Sequence, residues 1–179
     1  MKFYTAEMIN AWNQNDAGQD NEMLYRKLWE DAQDGYESHY RRLTDNLPVS
    51  VKKFSDAVLH NESVVSLPRM LRHESGCPEP SEGLVEGFDG GDEYTIVVAE
   101  LRERMLHVVT YTLEMPPAVK LHSGPGFDPP ENVAVWLYDE FDVDDMGRFT
   151  HNILFSNGVE IILKFKMMHW YECQMQVEG

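Results

Sequence analysis

The sequence predicts an α+β fold, in which an N-terminal segment of about three helices packs on a C-terminal antiparallel β-sheet of five to six strands. Apolar residues follow a helical period over the first 60 residues, and from Asn61 onward they follow a period of two. The predicted strands succeed one another with short turns, which is typical of antiparallel pairing. With 179 residues, 42% of them hydrophobic, the chain can bury a substantial core. We therefore expect one domain over residues 1–179, helical over 1–60 and a sheet over 61–179.

Three helices are predicted in the first segment. Thr5 is a suitable N-cap for a helix that reaches about residue 15 and places Met8, Ile9 and Trp12 on one face. A longer helix is expected over residues 21–46, because apolar and aromatic residues recur there at steps of four and three, and Pro48 marks its end. These residues are Leu24, Leu28, Ala32, Tyr36, Tyr40 and Leu43. The third helix is expected over residues 50–60.

The strands are predicted from the alternation of apolar and polar residues. A weak strand begins at Val64, and a long loop rich in glycine and proline is expected over residues 75–93. Further strands are expected over residues 94–101, 105–113, 119–122, 132–143, 148–155 and 159–168.

The register of the last hairpin follows from its turn. A two-residue turn at Asn157-Gly158 would mix the two faces of the hairpin, whereas a three-residue loop from Ser156 to a left-handed Gly158 collects the apolar residues on one face. The three-residue loop predicts that Phe149 lies opposite Phe165, His151 opposite Leu163 and Ile153 opposite Ile161. We favour that loop.

The preceding hairpin can be placed in the same way. A loop of residues 145–147 with Gly147 left-handed sets Phe141 opposite His151 and Asp139 opposite Ile153. Asp139 and His151 then become diagonal neighbours on the apolar face.

Asp139 and His151 are the strongest candidates for catalysis. An acid and an imidazole on one apolar face shift each other's pKa and can act as general acid and base. His107 falls on the more apolar face of its own strand and is a third candidate. No nucleophile with a recognisable motif accompanies them, so a structural pair is the simpler interpretation. A hydrolase that uses Asp139 and His151 is the alternative function.

The charge of the chain favours a different function. The formal net charge is −16, of which −13 falls after residue 60, and this acidity argues against nucleic-acid and membrane partners. Aromatic and acidic residues alternate on the predicted outer face of the strand over 132–143, where the N-terminal helices cover them or a partner binds them. These residues, with the acids of the following loop, are Trp136, Tyr138, Glu140, Asp142, Asp144 and Asp145. Aromatic side chains ringed by acids suit a basic protein partner, so the leading prediction is a non-enzymatic protein-binding module.

Metal and cofactor sites are not predicted. The acidic run over residues 139–145 matches a calcium-binding loop poorly, because an oxygen ligand is missing at the fifth loop position and Ile153 occupies the twelfth. Two cysteines without metal or redox spacing, and an N-terminus without an apolar signal region, lead us to expect a soluble cytoplasmic protein.

Two segments carry a resemblance to known proteins. Residues 136–141 read Trp-Leu-Tyr-Asp-Glu-Phe and residues 149–158 read Phe-Thr-His-Asn-Ile-Leu-Phe-Ser-Asn-Gly, followed by a strand that ends in Phe165-Lys166. This pattern, with Phe3-Tyr4-Thr5 and Glu7 at the start, resembles a bacterial domain-of-unknown-function family in which helices precede such a hairpin. The resemblance implies no activity and transfers no catalytic residue. The sequence is also similar in style to small acidic immunity and antitoxin proteins of bacterial toxin systems, an analogy that implies a protein partner.

Overall fold

The fold was analysed in a computed structural model, which describes residues 1–13, 19–55, 57, 59–66, 93–100, 102–129 and 133–175. The predicted loop over residues 75–93 lies, except for its last residue, outside the described part of the chain. Within the described residues the fold is α+β, as predicted, with three α-helices and seven antiparallel strands.

The helices are α1 (Ala6–Asn13), α2 (Gln19–Leu43) and α3 (Val49–Phe54), and a short 3-10 turn follows α2. The backbone N–H of Met8 donates to the side-chain oxygen of Thr5 over 3.3 Å, as expected of an N-cap. Helix α3 ends at Phe54 rather than near residue 60, and the hydroxyl of Ser55 donates to the carbonyl of Lys52 in its last turn. None of the described helices is long and apolar enough to cross a membrane.

The strands are β1 (Glu62–Ser66), β2 (Glu93–Glu100), β3 (Met105–Leu113), β4 (Ala118–Leu121), β5 (Val135–Val143), β6 (Phe149–Phe155) and β7 (Val159–Gln174). Both predicted hairpin registers are confirmed. Phe149 pairs with Phe165 and Ile153 with Ile161, and Gly147 and Gly158 adopt φ angles of 77° and 79°.

The sheet closes on itself, which the sequence did not predict. The strand order is β3-β2-β1-β5-β6-β7, and β3 also pairs with β7, so six strands form a closed barrel. Strand β7 makes this possible because it is 16 residues long: its first part pairs with β6 and β4, and its last part pairs with β3. The expected antiparallel sheet of five to six strands is thus a closed six-stranded barrel, with β4 as a seventh strand beside β7.

The interior of the barrel is filled by apolar and aromatic side chains. They include Ile96, Val109, Tyr111, Trp136, Phe141, Phe155, Ile161, Leu163 and Phe165, each at most 1% exposed. Phe54 of α3 inserts among them, with ring centroids 5.9 Å from Phe141 and 5.8 Å from Trp170. Close packing of this kind leaves the ends and the outer surface of the barrel as the places for function.

The segment before α1 and helix α2 lie against the outer face of β5. Tyr138 stacks on Tyr4 with ring centroids 4.9 Å apart and packs against Trp29 of α2 at 5.1 Å. Strand β1 pairs with only two residues of β5, Val135 and Trp136. Farther along β5, a side chain of α2 rather than a residue of β1 accepts a hydrogen bond from the strand. The backbone N–H of Phe141 donates to the hydroxyl of Tyr36 over 2.9 Å.

Candidate functional site

Asp139 and His151 are brought together as the register predicts. Asp139 pairs with Ile153 and His151 with Phe141 across β5 and β6, so the two side chains are diagonal neighbours. The Nε2 atom of His151 lies 2.8 Å from Oδ2 of Asp139. The acid–imidazole pair inferred from the sequence is therefore present in the structure.

Two further side chains extend this pair into a hydrogen-bonded network. The hydroxyl of Tyr111 lies 2.6 Å from Nδ1 of His151, and the indole N–H of Trp136 donates to Oδ1 of Asp139 over 3.0 Å. Burial raises the pKa of Tyr111 well above its usual value, and among the described residues His151 is the hydrogen-bond partner of its hydroxyl. We therefore assign Tyr111 as the donor to Nδ1, which leaves Nε2–H of His151 to donate to Asp139.

This arrangement leaves Asp139 as an uncompensated carboxylate. Its two described donors, Trp136 and His151, are a neutral indole and, in the assigned tautomer, a neutral imidazole, and each binds a different oxygen. No lysine or arginine among the described residues forms an ion pair with Asp139. The network orients the carboxylate without neutralising it.

Solvent reaches the two members of the pair unequally. The side chain of His151 is 0% exposed and stacks on Phe141 with ring centroids 3.9 Å apart, whereas the side chain of Asp139 is 28% exposed. A molecule in solution can therefore contact the carboxylate of Asp139 but not the imidazole of His151.

Asp139 opens into a cleft of about 340 Å³ between α2, α3 and β5. Aromatic rings form much of its wall, and no basic residue is among the described residues that line it. The lining residues are Tyr4, Gln33, Tyr36, Glu37, Tyr40, Phe54, Ser55, Ala57, Asp139 and Phe141. Burial raises the pKa of Tyr36, and the negative charge of Asp139 raises it further, so this phenol stays protonated.

Sequence reasoning missed most of these lining residues. Tyr36 and Tyr40 were recognised only as part of the apolar stripe of α2, and Tyr4 only as part of the N-terminal pattern. Tyr4 and helix α2 belong to separate segments, and their spacing along the chain carries no signal that they meet around Asp139.

His107 does not join the Asp139–His151 pair. Its Nε2 atom lies 3.0 Å from Oε2 of Glu100, and its ring stacks on Trp170 with centroids 6.2 Å apart. The side chain is 3% exposed. His107 thus belongs to a separate polar group between β2, β3 and β7.

The predicted outer-face position of Trp136 is wrong. A β-bulge between Trp136 and Tyr138 inserts one residue into β5 and reverses the alternation, so Trp136 points into the barrel and is 0% exposed. Tyr138 stays on the outer face but is half-buried beneath Tyr4 and Trp29.

Glu140 also lies under the N-terminal segment rather than in solvent. It is 2% exposed, and its carboxylate accepts three backbone N–H groups, those of Lys2, Phe3 and Tyr4, each over 2.7 Å. A buried charge is tolerated where such donors satisfy it. Glu140 therefore anchors the N-terminal segment to the barrel.

The remaining predicted partner-binding acids differ in their surroundings. Asp142 lies 2.9 Å from Nε2 of His39, and Asp144 forms ion pairs with Arg148 and Lys164 that hold the pKa of its carboxyl well below the usual value. Asp145 is exposed at the loop between β5 and β6. Of the six residues predicted to bind a partner, Asp145 is exposed and the other five are buried or half-buried. The role of these six residues in binding a partner stays a prediction.

A second cleft, of about 390 Å³, lies on the other side of Tyr138. His60 lines it, with its ring stacked on Tyr138 and its Nδ1 atom 2.5 Å from the carbonyl oxygen of Leu137 in the bulge. Asn61 and Asp128 also line this cleft.

The fold and the site together define a small closed antiparallel barrel with helices packed on it and a partly exposed carboxylate that lines a cleft. No protein-family model matches the chain, and neither the curated proteins nor the solved structures searched gave a match. The function of this chain is therefore inferred from the chemistry of the site itself.

Proposed function

We propose that this protein is a non-enzymatic binding module for a basic protein partner, comparable in role to an immunity or antitoxin protein. The observation that carries the proposal is the partly exposed carboxylate of Asp139, which lines a cleft rich in aromatic side chains and forms no ion pair with a described lysine or arginine. Aromatic anchors surrounded by negative charge are a common means of binding a cationic protein surface.

The exposed charges of α2 support this proposal. Glu30, Asp31 and Asp34 are exposed on the helix that contributes Glu37 to the cleft. The exposed bases of this helix lie on either side of that acidic stretch in the sequence, at Arg26, Lys27, Arg41 and Arg42. Negative charge beside a binding cleft accelerates the encounter with a positively charged partner. The binding surface that we propose is therefore the cleft and helix α2, rather than the hairpin of β5 and β6 expected from the sequence.

The alternative, a hydrolase that uses Asp139 and His151 with His107 nearby, receives less support from the geometry. General acid–base catalysis needs both groups within reach of a substrate, and the side chain of His151 is enclosed. A side chain that orients a carboxylate from the interior suits a structural role better than a catalytic one.

A co-purification experiment with the purified chain as bait tests the proposal. It compares about 0.1 M with about 1 M salt, at which the Debye length falls from about 10 Å to about 3 Å. We expect a basic protein that is retained at low salt, released at high salt and lost from the Asp139→Asn variant. The control is Glu103→Gln, which removes an exposed carboxylate from the turn before β3.

The proposal would be contradicted if a partner protein were retained equally at both salt concentrations and equally by the Asp139→Asn variant. To distinguish the enzyme alternative, His151→Gln is compared with the unaltered chain by its urea unfolding and by assays of ester and amide hydrolysis. A hydrolysis that this variant loses while it remains folded would favour the enzyme.

A further inference from the structure

We infer that the cleft beside Asp139 binds a guanidinium group, namely an arginine side chain of the partner. This inference rests on the proposed function and specifies which chemical group of a basic protein the cleft recognises.

Two hydrogen bonds from the interior orient the carboxylate of Asp139. Oδ1 of Asp139 accepts one hydrogen bond from Trp136 and Oδ2 accepts one from His151, both donors being 0% exposed. A carboxylate has about four acceptor positions, so one on each oxygen remains. The planar fork of a guanidinium can donate to both oxygens of one carboxylate at once, whereas an ammonium is a point charge that needs only one acceptor.

The walls of the cleft consist largely of aromatic rings. Tyr4, Tyr36 and Tyr40 contribute phenol rings, and Phe54 and Phe141 contribute apolar ones. A guanidinium is weakly hydrated and stacks on aromatic faces, while an ammonium loses more hydration energy when it enters such a site. Both features favour arginine over lysine.

The charge and the volume of the cleft also suit a single cationic side chain. None of the bases of α2 and α3 is among the described residues that line the cleft; these bases are Arg26, Lys27, Arg41, Arg42, Lys52 and Lys53. The lining residue Glu37 is paired with Arg41. A volume of about 340 Å³ is at the small end of the range for ligand sites, which suits one side chain rather than a large molecule.

The test uses three small probes and needs no identified partner. They are Nα-acetyl-arginine amide, Nα-acetyl-lysine amide and Nα-acetyl-citrulline amide, and the last has the shape of the arginine probe without its charge. Binding is followed by two-dimensional ¹H–¹⁵N NMR at the indole N–H of Trp136, which donates to Asp139 and so reports on its carboxylate. We expect the arginine probe to bind with a dissociation constant on the order of 1 mM and the other two at least about tenfold more weakly.

Substitutions at Gln33 provide the matched variants. Gln33 is exposed on α2 and lines the cleft, so Gln33→Lys and Gln33→Glu alter its charge without touching the network behind Asp139. Gln33→Lys should weaken the arginine probe and Gln33→Glu should strengthen it, each by a few-fold. Asp139→Asn should abolish the shift of the Trp136 signal, and its urea unfolding shows whether this variant remains folded.

Each outcome decides one question. Equal binding of the lysine probe would overturn the preference for guanidinium, and the absence of binding by all three probes would overturn the cleft as a cation site. Neither result would refute the proposed function, because a salt-sensitive partner in the co-purification experiment is an independent measurement. Loss of that partner from Gln33→Lys together with arginine-selective probe binding would support both.

Discussion

The attachment of the N-terminal segment by Glu140 leads to the sharpest stability prediction. Replacing Glu140 by alanine removes the acceptor of three backbone N–H groups, those of Lys2, Phe3 and Tyr4. Each N–H left buried without an acceptor costs about 1–3 kcal/mol, so a segment that stays in place loses roughly 3–9 kcal/mol.

The segment can instead detach from the barrel, which sets an upper limit to the loss. Tyr4 is 9% exposed, and a buried aromatic side chain covers roughly 150–250 Å², worth about 4–6 kcal/mol at about 25 cal/mol per Å². Release also gives up three hydrogen bonds to a charged acceptor, worth about 1.5–3 kcal/mol each, whereas residues 1–4 regain backbone entropy of about 1–2 kcal/mol each, about 4–8 kcal/mol in all. At the middle of these ranges release costs about 6 kcal/mol, so we expect Glu140→Ala to lower the free energy of unfolding by roughly 3–6 kcal/mol.

Urea unfolding followed by circular dichroism measures this loss. The control is Glu103→Ala, the same chemical change at an exposed turn residue, and we expect it to alter stability by less than about 0.5 kcal/mol. The stability loss of Glu140→Gln should lie between those of Glu140→Ala and Glu103→Ala, because its amide keeps one acceptor oxygen. Its NH2 group cannot accept the remaining backbone N–H hydrogen bonds. A loss below about 1 kcal/mol for Glu140→Ala would refute the anchoring role that we assign to this carboxylate.

Three further predictions follow from the turns and the titratable groups. Gly147→Ala should cost about 1–2 kcal/mol for its left-handed backbone alone, while Gly158→Ala should cost clearly more in the same urea assay, because its Cβ would lie 2.2 Å from the carbonyl oxygen of His122. Burial raises the pKa of Tyr94 to about 12, so the stability that its neutral phenol provides is present below pH 10 and is lost as the pH rises toward 12; in alkaline unfolding curves Tyr94→Phe should lessen this fall. Burial alone would raise the pKa of Glu160, but its hydrogen bonds to the Met1 amino group and to His122 outweigh it and lower that pKa below 4.5. Its stabilising effect should be complete above that value and lost at lower pH, and Glu160→Gln should flatten the acid limb of the stability curve.

The two hairpins were predictable because their signals are local. Glycine at the left-handed position of a three-residue loop fixes the pairing of the flanking strands, and the period of two then decides which side chains share a face. This was sufficient to place Asp139 beside His151 from the sequence. The network behind Asp139 was not predictable in the same way, since Tyr111 comes from β3, which does not pair with β5 or β6.

Closure of the barrel depends on a feature that the alternation pattern conceals. Phe165 pairs with Leu113 but Met167 pairs with Thr112, so Lys166 is an extra residue in β7. After this irregularity the buried residues of β7 continue at Met168, with the parity reversed. Because a strand prediction ends where its alternation fails, the predicted strand ends at residue 168 and omits residues 169–174, which form most of the pairing with β3.

The bulge in β5 links the error about Trp136 to the origin of the cleft. In a regular strand Trp136 and Asp139 would point to opposite faces, since they are three residues apart. The extra residue Leu137 turns both inward, so the indole N–H can donate to the carboxylate over 3.0 Å. The pairing between β1 and β5 ends at the same place, and the carbonyl of Leu137 lies beside His60 instead of a strand partner. One inserted residue thus supplies Asp139 with a donor from the interior and ends the strand pairing beside it, and these are the two conditions that a carboxylate needs to be both oriented and accessible.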